Sequence, residues 1–237
     1  MEVYDYVSIE QRLFSVRYGY TKTGMNTKPI ILFGGHPDDL EIGMGGTARA
    51  LAARGRAVVA CVAVVPNLIS VRKKEAARAA KILGVKTLVF LPVPFKRFGW
   101  NRETISAVDA LITRFSPSAI FTHSLGDSHQ DHLSLTHSIL SATRRNDASV
   151  FMYEQIIPGG ITPTPFHPHF FVDISAHIDE KLSAIHAHKS QVKKYGADWP
   201  ESIRGRAVMR GHQIGAKYAE AFEVVKIREN NDLLLHL

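Results

Sequence analysis

The chain has 237 residues, of which 45% are hydrophobic and 22% are charged, and its formal net charge at pH 7 is +7. No apolar stretch approaches the roughly 20 residues that a membrane-spanning helix needs, so membrane insertion is not expected. The only cysteine, Cys61, excludes an intramolecular disulfide and a cysteine-rich zinc site. The basic residues are dispersed along the sequence apart from short clusters, which argues against nucleic acid as a partner.

The first 28 residues differ from the rest of the chain. They show strand-like alternation and several aromatic side chains, so we predict an added hairpin or an arm that contacts a second copy in a homo-oligomer. The opening residues, "MEVYDYVSIEQRLF", lack the basic start and the apolar stretch of about 7–15 residues that a secretory signal requires. A cytoplasmic location is therefore expected.

From residue 29 onward, short apolar runs alternate with longer amphipathic segments, a pattern typical of βα units around a mostly parallel sheet. The predicted strands are rich in β-branched and aromatic residues and have the sequences "IILFGG", "AVVACVAVV", "TLVFLPV", "SAIFTH", "ASVFMYEQ", "HFFVDIS" and "AFEVVKI". Helices are predicted within residues 45–55, 70–85, 102–115, 132–145, 176–194 and 200–219. These elements predict a Rossmann-like three-layer α/β/α fold, in which residues 29–237 form a single α/β domain.

Serine, glycine and proline mark the ends of several predicted elements. Ser70 is the predicted N-cap of the second helix. Gly55 and Gly84 are predicted to end the first two helices in the left-handed conformation. The proline-rich segment of residues 155–169 is predicted to be a long irregular loop, of the kind that often forms a lid or a wall of a functional site.

The first segment that carries chemistry is "GGHPDDLEIGMGGT", residues 34–47, between the first predicted strand and helix. Ligands gather at the carboxyl ends of strands in an open parallel sheet, so His36, Asp38 and Asp39 are expected at the functional edge. A phosphate loop is not indicated, because the segment lacks the GxGxxG spacing and the lysine of nucleotide loops. The other interpretation of this segment alone is a polar turn that caps a helix. Close approach to a ligand or left-handed backbone angles would explain the glycines Gly43, Gly45 and Gly46.

The second segment is "THSLGDSHQDH", residues 122–132, which follows another predicted strand and therefore reaches the same edge. His129 and His132 are three residues apart, with Asp131 between them and Asp127 just upstream. Imidazole and carboxylate groups are suitable ligands for divalent zinc, iron or manganese. The two segments together predict one metal site.

The expected chemistry of such a site explains why two aspartates are adjacent. A catalytic zinc ion typically has three protein ligands and an open position for water, whose pKa it lowers toward about 7. His36, Asp39 and one histidine of "HQDH" would complete the ligand set. The neighbouring carboxylate would then serve as general base and pass the proton to a leaving amine, and the remaining histidine would stabilise an oxyanion.

These segments resemble the signatures of the PIG-L/LmbE-like family of zinc-dependent deacetylases, which remove N-acetyl groups from glucosamine-containing substrates. The family signatures are a His-Pro-Asp-Asp stretch running to Gly-Gly-Thr and a later His-x-Asp-His. They stand here as "HPDDLEIGMGGT" and "HQDH". The likeness continues through "RKKEAARAAKILGV", "FFVDIS", "HKSQ" and "YAEAF", so it covers most of residues 29–224.

The resemblance implies a role for the histidine and both aspartates of the first signature and for one histidine of the second. His36, Asp39 and His132 would be the metal ligands, and Asp38 would be the general base. The expected metal is Zn²⁺, with Fe²⁺ or another divalent ion as the alternative, because these ions also suit two nitrogen ligands and one oxygen ligand.

Three further assignments follow from the resemblance. His129 would assist the oxyanion or the leaving group, and Asp131 would orient or tune a histidine. Arg72 aligns with an arginine that contacts the sugar in some members of the family. The other interpretation of Arg72 is a solvated side chain at the start of a helix.

The resemblance leaves the substrate open. Some relatives carry acidic residues after the second and third strands that bind sugar hydroxyls, whereas the loops here read "VVPNLIS" and "LPVPFKRFGW". Phe95, Phe98 and Trp100 would either stack on a sugar or cover the core. His167 and His169, in the proline-rich loop, are expected at the surface, with an approach to the pocket as the alternative. His186 and His188, in a predicted helix, are expected to be structural or exposed.

The function expected from the sequence is a metal-dependent deacetylase that acts on a small N-acetylated amino sugar or its conjugate. Two alternatives remain at this stage. One is a metal-dependent hydrolase of another acyl bond, such as an O-acetyl ester or a non-sugar amide. The other is a metal-bearing carbohydrate-binding protein without catalysis, against which the second aspartate argues, because binding alone needs no general base.

Overall fold

The computed structural model describes residues 28–155 and 165–228. The predicted N-terminal hairpin or oligomer arm therefore lies outside the described residues, apart from Lys28, as does most of the predicted proline-rich loop. Among the described residues, no helix is long and apolar enough to cross a membrane.

All seven predicted strands are present, and in the described part of the chain they form one sheet in the order β3-β2-β1-β4-β5-β7-β6. Their bounds are β1 Ile30–Gly34, β2 Val58–Val62, β3 Thr87–Phe90, β4 Ala119–His123, β5 Ser149–Tyr153, β6 Phe170–Asp173 and β7 Ala219–Lys226. The first five strands pair in parallel, and β7 runs antiparallel between β5 and β6. The prediction of a mostly parallel sheet is confirmed.

Helices cover both faces of the sheet, which confirms the three-layer α/β/α architecture. Their bounds are α1 Asp39–Ala53, α2 Ile69–Leu83, α3 Arg102–Phe115, α4 Gln130–Thr143, α5 Ile178–His186, α6 Lys189–Tyr195 and α7 Asp198–Ile214, with a short 3₁₀ helix over Phe95–Arg97. In β1, Ile30 and Leu32 belong to the core under α1, α2, α5 and α7, whereas Ile31 and Phe33 belong to the core under α3 and α4. Successive side chains of a strand point to opposite faces, so a continuous apolar run supplies both cores.

Some helix boundaries differ from the prediction. Gly55 and Gly84 follow α1 and α2 with φ of +75°, as predicted. Ser70, however, is not an N-cap, because the chain turns in the left-handed region at Leu68 and α2 begins directly after it, without a side-chain cap. The single helix predicted for residues 176–194 is also wrong, since α5 and α6 are separate and His188, fully buried between them, has non-helical backbone angles.

The glycines of the first segment serve packing within the protein. None of Gly43, Gly45 and Gly46 has a left-handed backbone, so that part of the expectation is wrong. A Cβ at Gly43 would collide with the ring of Tyr153 at the end of β5, and a Cβ at Gly46 would lie 2.7 Å from Ile174 after β6. The close approach that these glycines permit is therefore that of neighbouring side chains, and it brings α1 down onto the sheet.

Candidate active site

The two polar segments meet at one edge of the sheet. β1 and β4 are neighbouring parallel strands, so the chain leaves both of them side by side. His36 Nδ1 lies 3.2 Å from His132 Nε2. Asp39 Oδ2 lies 3.1 Å from His132 Nε2 and 3.5 Å from His36 Nδ1. Two ring nitrogens and one carboxylate oxygen therefore converge.

The spacing of these three atoms fits a common metal ion. Bonds of about 2.0–2.1 Å from a tetrahedral zinc ion place two ligand atoms about 3.3–3.4 Å apart. The separations among His36, Asp39 and His132, 3.1–3.5 Å, bracket that value. Two imidazoles and one carboxylate leave a fourth position open, which is typical of catalytic rather than structural zinc sites.

Carboxylates hold the outward-facing nitrogens of both histidines. His36 Nε2 lies 3.0 Å from Asp131 Oδ2, and His132 Nδ1 lies 2.7 Å from Asp127 Oδ2. Metal-binding histidines usually donate their second N–H in this way, because the bond fixes the tautomer and the ring orientation. The structure thus places Asp131 on His36, and gives Asp127, to which the sequence assigned no role, the equivalent position on His132.

The electrostatics of the site favour positive charge between these groups. Burial alone would lower the pKa of His36, but its bonds with Asp131 and Asp39 raise it to about 9. Burial would likewise lower the pKa of His132, but the charge of Asp39 and the bond with Asp127 raise it to about 10. Burial would raise the pKa of Asp39, but His132 and the other histidines hold it well below its usual value. A divalent cation would interact favourably with the same carboxylates that stabilise the protonated forms of His36 and His132.

His123 and Gln155 are two contributors that the sequence analysis missed. His123 Nε2 lies 3.3 Å from Asp39 Oδ2. Two groups have ligand atoms within 4.8 Å of one another, His123 with Asp39 and His132, and His36 with His129 and His132. The backbone N–H of Gly35 donates to His123 Nε2 at 2.9 Å, and this occupies the lone pair that a metal would need. Gln155 Nε2 donates to Asp39 Oδ1 at 2.9 Å. Both residues lie at or just beyond the carboxyl end of a strand, which is the signal that could have found them.

Asp38 faces a different partner from Asp39. Arg72 Nη2 lies 3.3 Å from Asp38 Oδ1 and donates to the carbonyl of Pro37 at 2.8 Å. Asp38 has φ of +114° and its side chain makes no capping bond, so the segment is more than a helix cap. A non-glycine residue with such a φ is strained, and this kind of strain is concentrated at functional sites. Arg72 is buried, with 5% of its surface exposed, so its interpretation as a solvated residue is wrong.

The pKa of Asp38 suits proton transfer near neutral pH. Burial and the neighbouring charge of Asp39 raise it to about 7, although His188 and Arg72 partly oppose the shift. The pKa of Asp39 moves in the opposite direction. Two adjacent carboxyl groups with divergent pKa values are typical of a division between a metal or charge-stabilising role and an acid–base role.

His129 lies beside the converging atoms and presents a hydrogen-bond donor. Its Nδ1 accepts the backbone N–H of Asp131 at 3.2 Å, at the start of α4. Burial and the nearby charges of His132 and His36 lower the pKa of His129, which favours the neutral ring. A neutral ring whose Nδ1 accepts must carry its proton on Nε2. That N–H is available to an oxygen of a bound molecule.

A cavity of about 370 Å³ opens from this site. Its inner end is formed by His36, Asp38, Asp39, His129 and His132. The rest of its lining is Ile42, Pro66, Asn67, Leu68, Arg72, Ser190, Gln191, Lys194, Tyr195 and Trp199. The aromatic residues singled out from the sequence, Phe95, Phe98 and Trp100, are not in this lining. Tyr195 and Trp199 line the cavity instead.

The other histidines have different surroundings. His167, His169 and His186 are exposed, as expected. His188 is fully buried, and its Nε2 lies 3.3 Å from Glu41 Oε2.

A buried ion pair holds the irregular start of α1 in place. The helix is interrupted at Met44, where φ is −150° and ψ is 29°. Lys181 Nζ donates to the carbonyls of Glu41 and Ile42 before the interruption, at 2.9 and 2.8 Å, and to Glu220 Oε1 at 2.6 Å. The Glu220 carboxylate in turn accepts the backbone N–H groups of Gly46 and Thr47 after it. Backbone carbonyl and N–H groups that lose their helical partners at the interruption are thereby hydrogen-bonded to Lys181 and Glu220.

Comparisons with known proteins show which family the chain resembles. The family model PIG-L, described as GlcNAc-PI de-N-acetylase, matches residues 31–143, which include both polar segments. The Escherichia coli protein YaiS, described as an uncharacterized deacetylase, is 30% identical over 177 residues, covering 69% of this chain and 91% of YaiS. Diacetylchitobiose deacetylase of Thermococcus kodakarensis is 26% identical over 224 residues, or 84% of each chain.

A solved structure shows the same fold. The conserved protein TT1542 of Thermus thermophilus superposes with a TM-score of 0.71 at 26% identity, covering 81% of this chain and 92% of that protein. The match to YaiS spans nearly the whole length of that relative, and the matched family region holds both converging segments. The chain belongs to the PIG-L family of deacetylases.

Proposed function

We propose that this protein is a metal-dependent deacetylase that hydrolyses the N-acetyl group of a small amino sugar or amino-sugar conjugate, releasing acetate and a free amine. The observation that carries the proposal is that the two adjacent aspartates have different partners. Asp39 joins His36 and His132 within 3.5 Å, whereas Asp38 pairs with Arg72 beside them. A protein that only bound sugar would not need the second carboxylate.

His36 Nδ1, Asp39 Oδ2 and His132 Nε2 would hold the metal. Two nitrogens and one oxygen with tetrahedral spacing favour Zn²⁺, and Fe²⁺ is the alternative with the same ligand preference. A divalent ion there supplies a Lewis acid for the acetyl carbonyl and lowers the pKa of water. Asp131 and Asp127 orient the two histidines through their outward-facing nitrogens, at 3.0 and 2.7 Å.

Asp38 moves the proton in the proposed reaction. It accepts a proton from the water that attacks the acetyl carbonyl carbon, and then donates it to the amine nitrogen as the C–N bond breaks. Burial, which raises the pKa of Asp38 above its usual range, favours both transfers near neutral pH. Arg72 holds the Asp38 carboxylate in one orientation, which makes it a positioning residue in this mechanism.

His129 stabilises charge on the other side of the reacting carbonyl. Its Nε2–H donates a hydrogen bond to the oxygen of the tetrahedral intermediate, where negative charge develops. Donors of this kind, fixed before the reaction, contribute about 10²–10³ to the rate in other acyl-transfer enzymes. The bond from the Asp131 backbone to His129 Nδ1 keeps the required tautomer.

The experiment is to load the protein with Zn²⁺ or Fe²⁺ and to follow acetate released from a substrate panel. The panel contains N-acetylglucosamine, diacetylchitobiose, and nucleotide-linked and thiol-linked N-acetylglucosamine. O-acetylated sugars and N-acetylated amino acids serve as matched controls for the acyl bond and for the sugar. We expect acetate from N-acetylated sugars. Acetate from the controls alone, or no acetate with metal bound, would refute the proposal.

A further inference from the structure

The cavity continues beyond the reacting groups, along a wall that has no part in the proposed chemistry. We call Ser190, Gln191, Lys194, Tyr195 and Trp199 the outer wall. If the acetamide of a substrate lies at the inner end, its remaining atoms would lie against this wall or against Pro66, Asn67 and Leu68 of the same lining. The outer wall is therefore where contacts with the group attached to the amino sugar would form.

The outer wall is fixed in position by a hydrogen-bonded link between α6 and α2. Glu75 on α2 accepts the backbone N–H of Ser190 at 2.8 Å and its hydroxyl at 2.6 Å. Tyr195 and Trp199 lie with ring centroids 5.5 Å apart at an interplanar angle of 42°. An aromatic pair of this kind offers an apolar surface to a ring, and the Tyr195 hydroxyl adds a polar edge.

The charges of the lining are divided unequally between the two ends of the cavity. Its carboxylates, Asp38 and Asp39, are both at the inner end. The described residues of the lining include two permanent cations. Arg72 is held by Asp38 and by the Pro37 carbonyl through Nη2, whereas its buried Nε has no partner. The other cation, Lys194, is on the outer wall, where no acidic side chain of the described lining joins it.

Lys194 is oriented along the wall by Tyr195. Its Nζ donates to the Tyr195 hydroxyl at 2.9 Å and lies 4.5 Å from the centroid of the same ring. These contacts leave further N–H groups of the ammonium for a ligand, because a lysine carries three.

The chain around the mouth of the cavity adds charge of the same sign. Besides Arg72 and Lys194, the segments "PNLISVRKK" and "KSQVKKYG" contain four lysines and no acidic residue. Clefts lined by one sign of charge attract ligands of the opposite sign and raise their local concentration.

From these observations we propose that the substrate carries an anionic group, a carboxylate or a phosphate, on the part attached to the amino sugar, and that Lys194 binds this group beside the Tyr195–Trp199 pair. The inference rests on the proposed deacetylase function and specifies its substrate class. Lys194 is a specificity-determining residue in this scheme and takes no part in bond cleavage.

The test compares N-acetylglucosaminides that differ in one group. The 4-carboxyphenyl glycoside carries the anion, the 4-carbamoylphenyl glycoside is its neutral match, and the 4-phosphonophenyl glycoside separates phosphate-like from carboxylate recognition. We expect kcat/KM of the metal-loaded protein to favour at least one anionic glycoside over the amide by about fivefold, mainly through KM, as for a single partly exposed ion pair. The ratio should fall as salt is raised, because such pairs are screened.

Variants test whether Lys194 is responsible for the preference for an anionic glycoside. K194M keeps the aliphatic stem and removes the charge, so the ratio of anionic to neutral kcat/KM should fall to about one. K194R should retain the preference. K193M, which removes the adjacent lysine outside the cavity lining, is the matched control and should also retain it.

The possible failures are distinguishable. Equal kcat/KM for the three glycosides in the unmodified protein would overturn this inference while leaving the deacetylase function in place. A preference that survives in K194M would also overturn it, because another group would then bind the anion. Absence of acetate from every glycoside, with metal bound, would instead refute the proposed function. Calorimetric binding of the same glycosides to metal-free protein should show the same order of affinity and does not depend on turnover.

Discussion

Arg72 on α2 and Asp38 after β1 form a buried ion pair, with Arg72 Nη2 3.3 Å from Asp38 Oδ1. The guanidinium also holds the carbonyl of Pro37, so it fixes both the backbone and the side chain of the loop. Asp39, one residue later, has no part in this pair and turns toward the histidines instead. Two carboxylates that look redundant in the sequence thereby acquire separate partners, and they should fail differently when replaced.

The first prediction concerns these two aspartates. D38N should retain metal and lose about 10²-fold or more in kcat, because a general base is removed without a ligand being lost. D39N should lose metal, because a neutral amide is a weaker ligand than a carboxylate. Metal analysis after gel filtration, together with acetate release, separates the two. Equal loss of metal in both variants would contradict the assignment.

The second prediction concerns the pH dependence of activity. Asp38 must be ionised to act as a base, so the rate falls as pH falls through its pKa. Arg72 lowers that pKa, whereas burial raises it. R72Q should therefore move the acidic limb of kcat/KM to higher pH in addition to reducing the rate. K74Q, which replaces an exposed lysine on the same helix, is the control and should leave the limb in place. If the acidic limb of the pH profile of kcat/KM stays in place in R72Q, Arg72 does not act on the group that titrates.

Much of this site was predictable from the sequence, because its main residues lie on recognisable local patterns. Apolar runs located the strands, and the topology of a parallel sheet brought the ends of β1 and β4 together. The burial of Arg72 was not predictable, because its partner is more than thirty residues away. His123 and Gln155 also act on Asp39 from strand ends, but they lie outside the His-x-Asp-His pattern that drew attention to His132.

The errors in the helices have a similar cause. Ser70 has the right residue type for an N-cap, but the left-handed turn at Leu68 starts α2 before it. The periodic pattern over residues 176–194 continues through His188, where the chain breaks so that this side chain can be buried near Glu41. In both places tertiary structure overrode a local preference.

The third prediction concerns metal binding and protons. At pH 7 the metal-free site holds protons on His36 and His132, whose pKa values are raised to about 9 and about 10. Metal must displace protons held by this pair, so binding should release about one to two protons per ion at pH 7. Calorimetric titrations in buffers with different ionisation enthalpies measure this number. H132A should bind metal far more weakly, and release of no protons by the unmodified protein would contradict the arrangement.

The fourth prediction is the pH dependence of stability without metal. A histidine whose pKa is higher in the folded protein stabilises it fully below the unfolded pKa of about 6.5, and this stabilisation is lost as pH rises through the folded value. For His36 and His132 that loss should extend from about pH 7 to about pH 10. Chelator-treated protein should therefore show a falling Tm over this range, whereas zinc-loaded protein should not follow it, since its histidines are already neutral. Parallel Tm curves for the two forms would contradict this account.

The fifth prediction concerns the buried pair of Lys181 and Glu220, which bridges the interruption in α1. K181M leaves the Glu220 carboxylate buried without its cation, and it should lower the free energy of unfolding by about 3–5 kcal/mol. The double variant K181M/E220L should recover part of this loss, because no unpaired charge then remains. R49M breaks the partly exposed pair with Glu180 and should cost less than about 1 kcal/mol. Urea denaturation measures all three. If K181M unfolds at the same urea concentration as R49M, the pair does not hold the interruption in place.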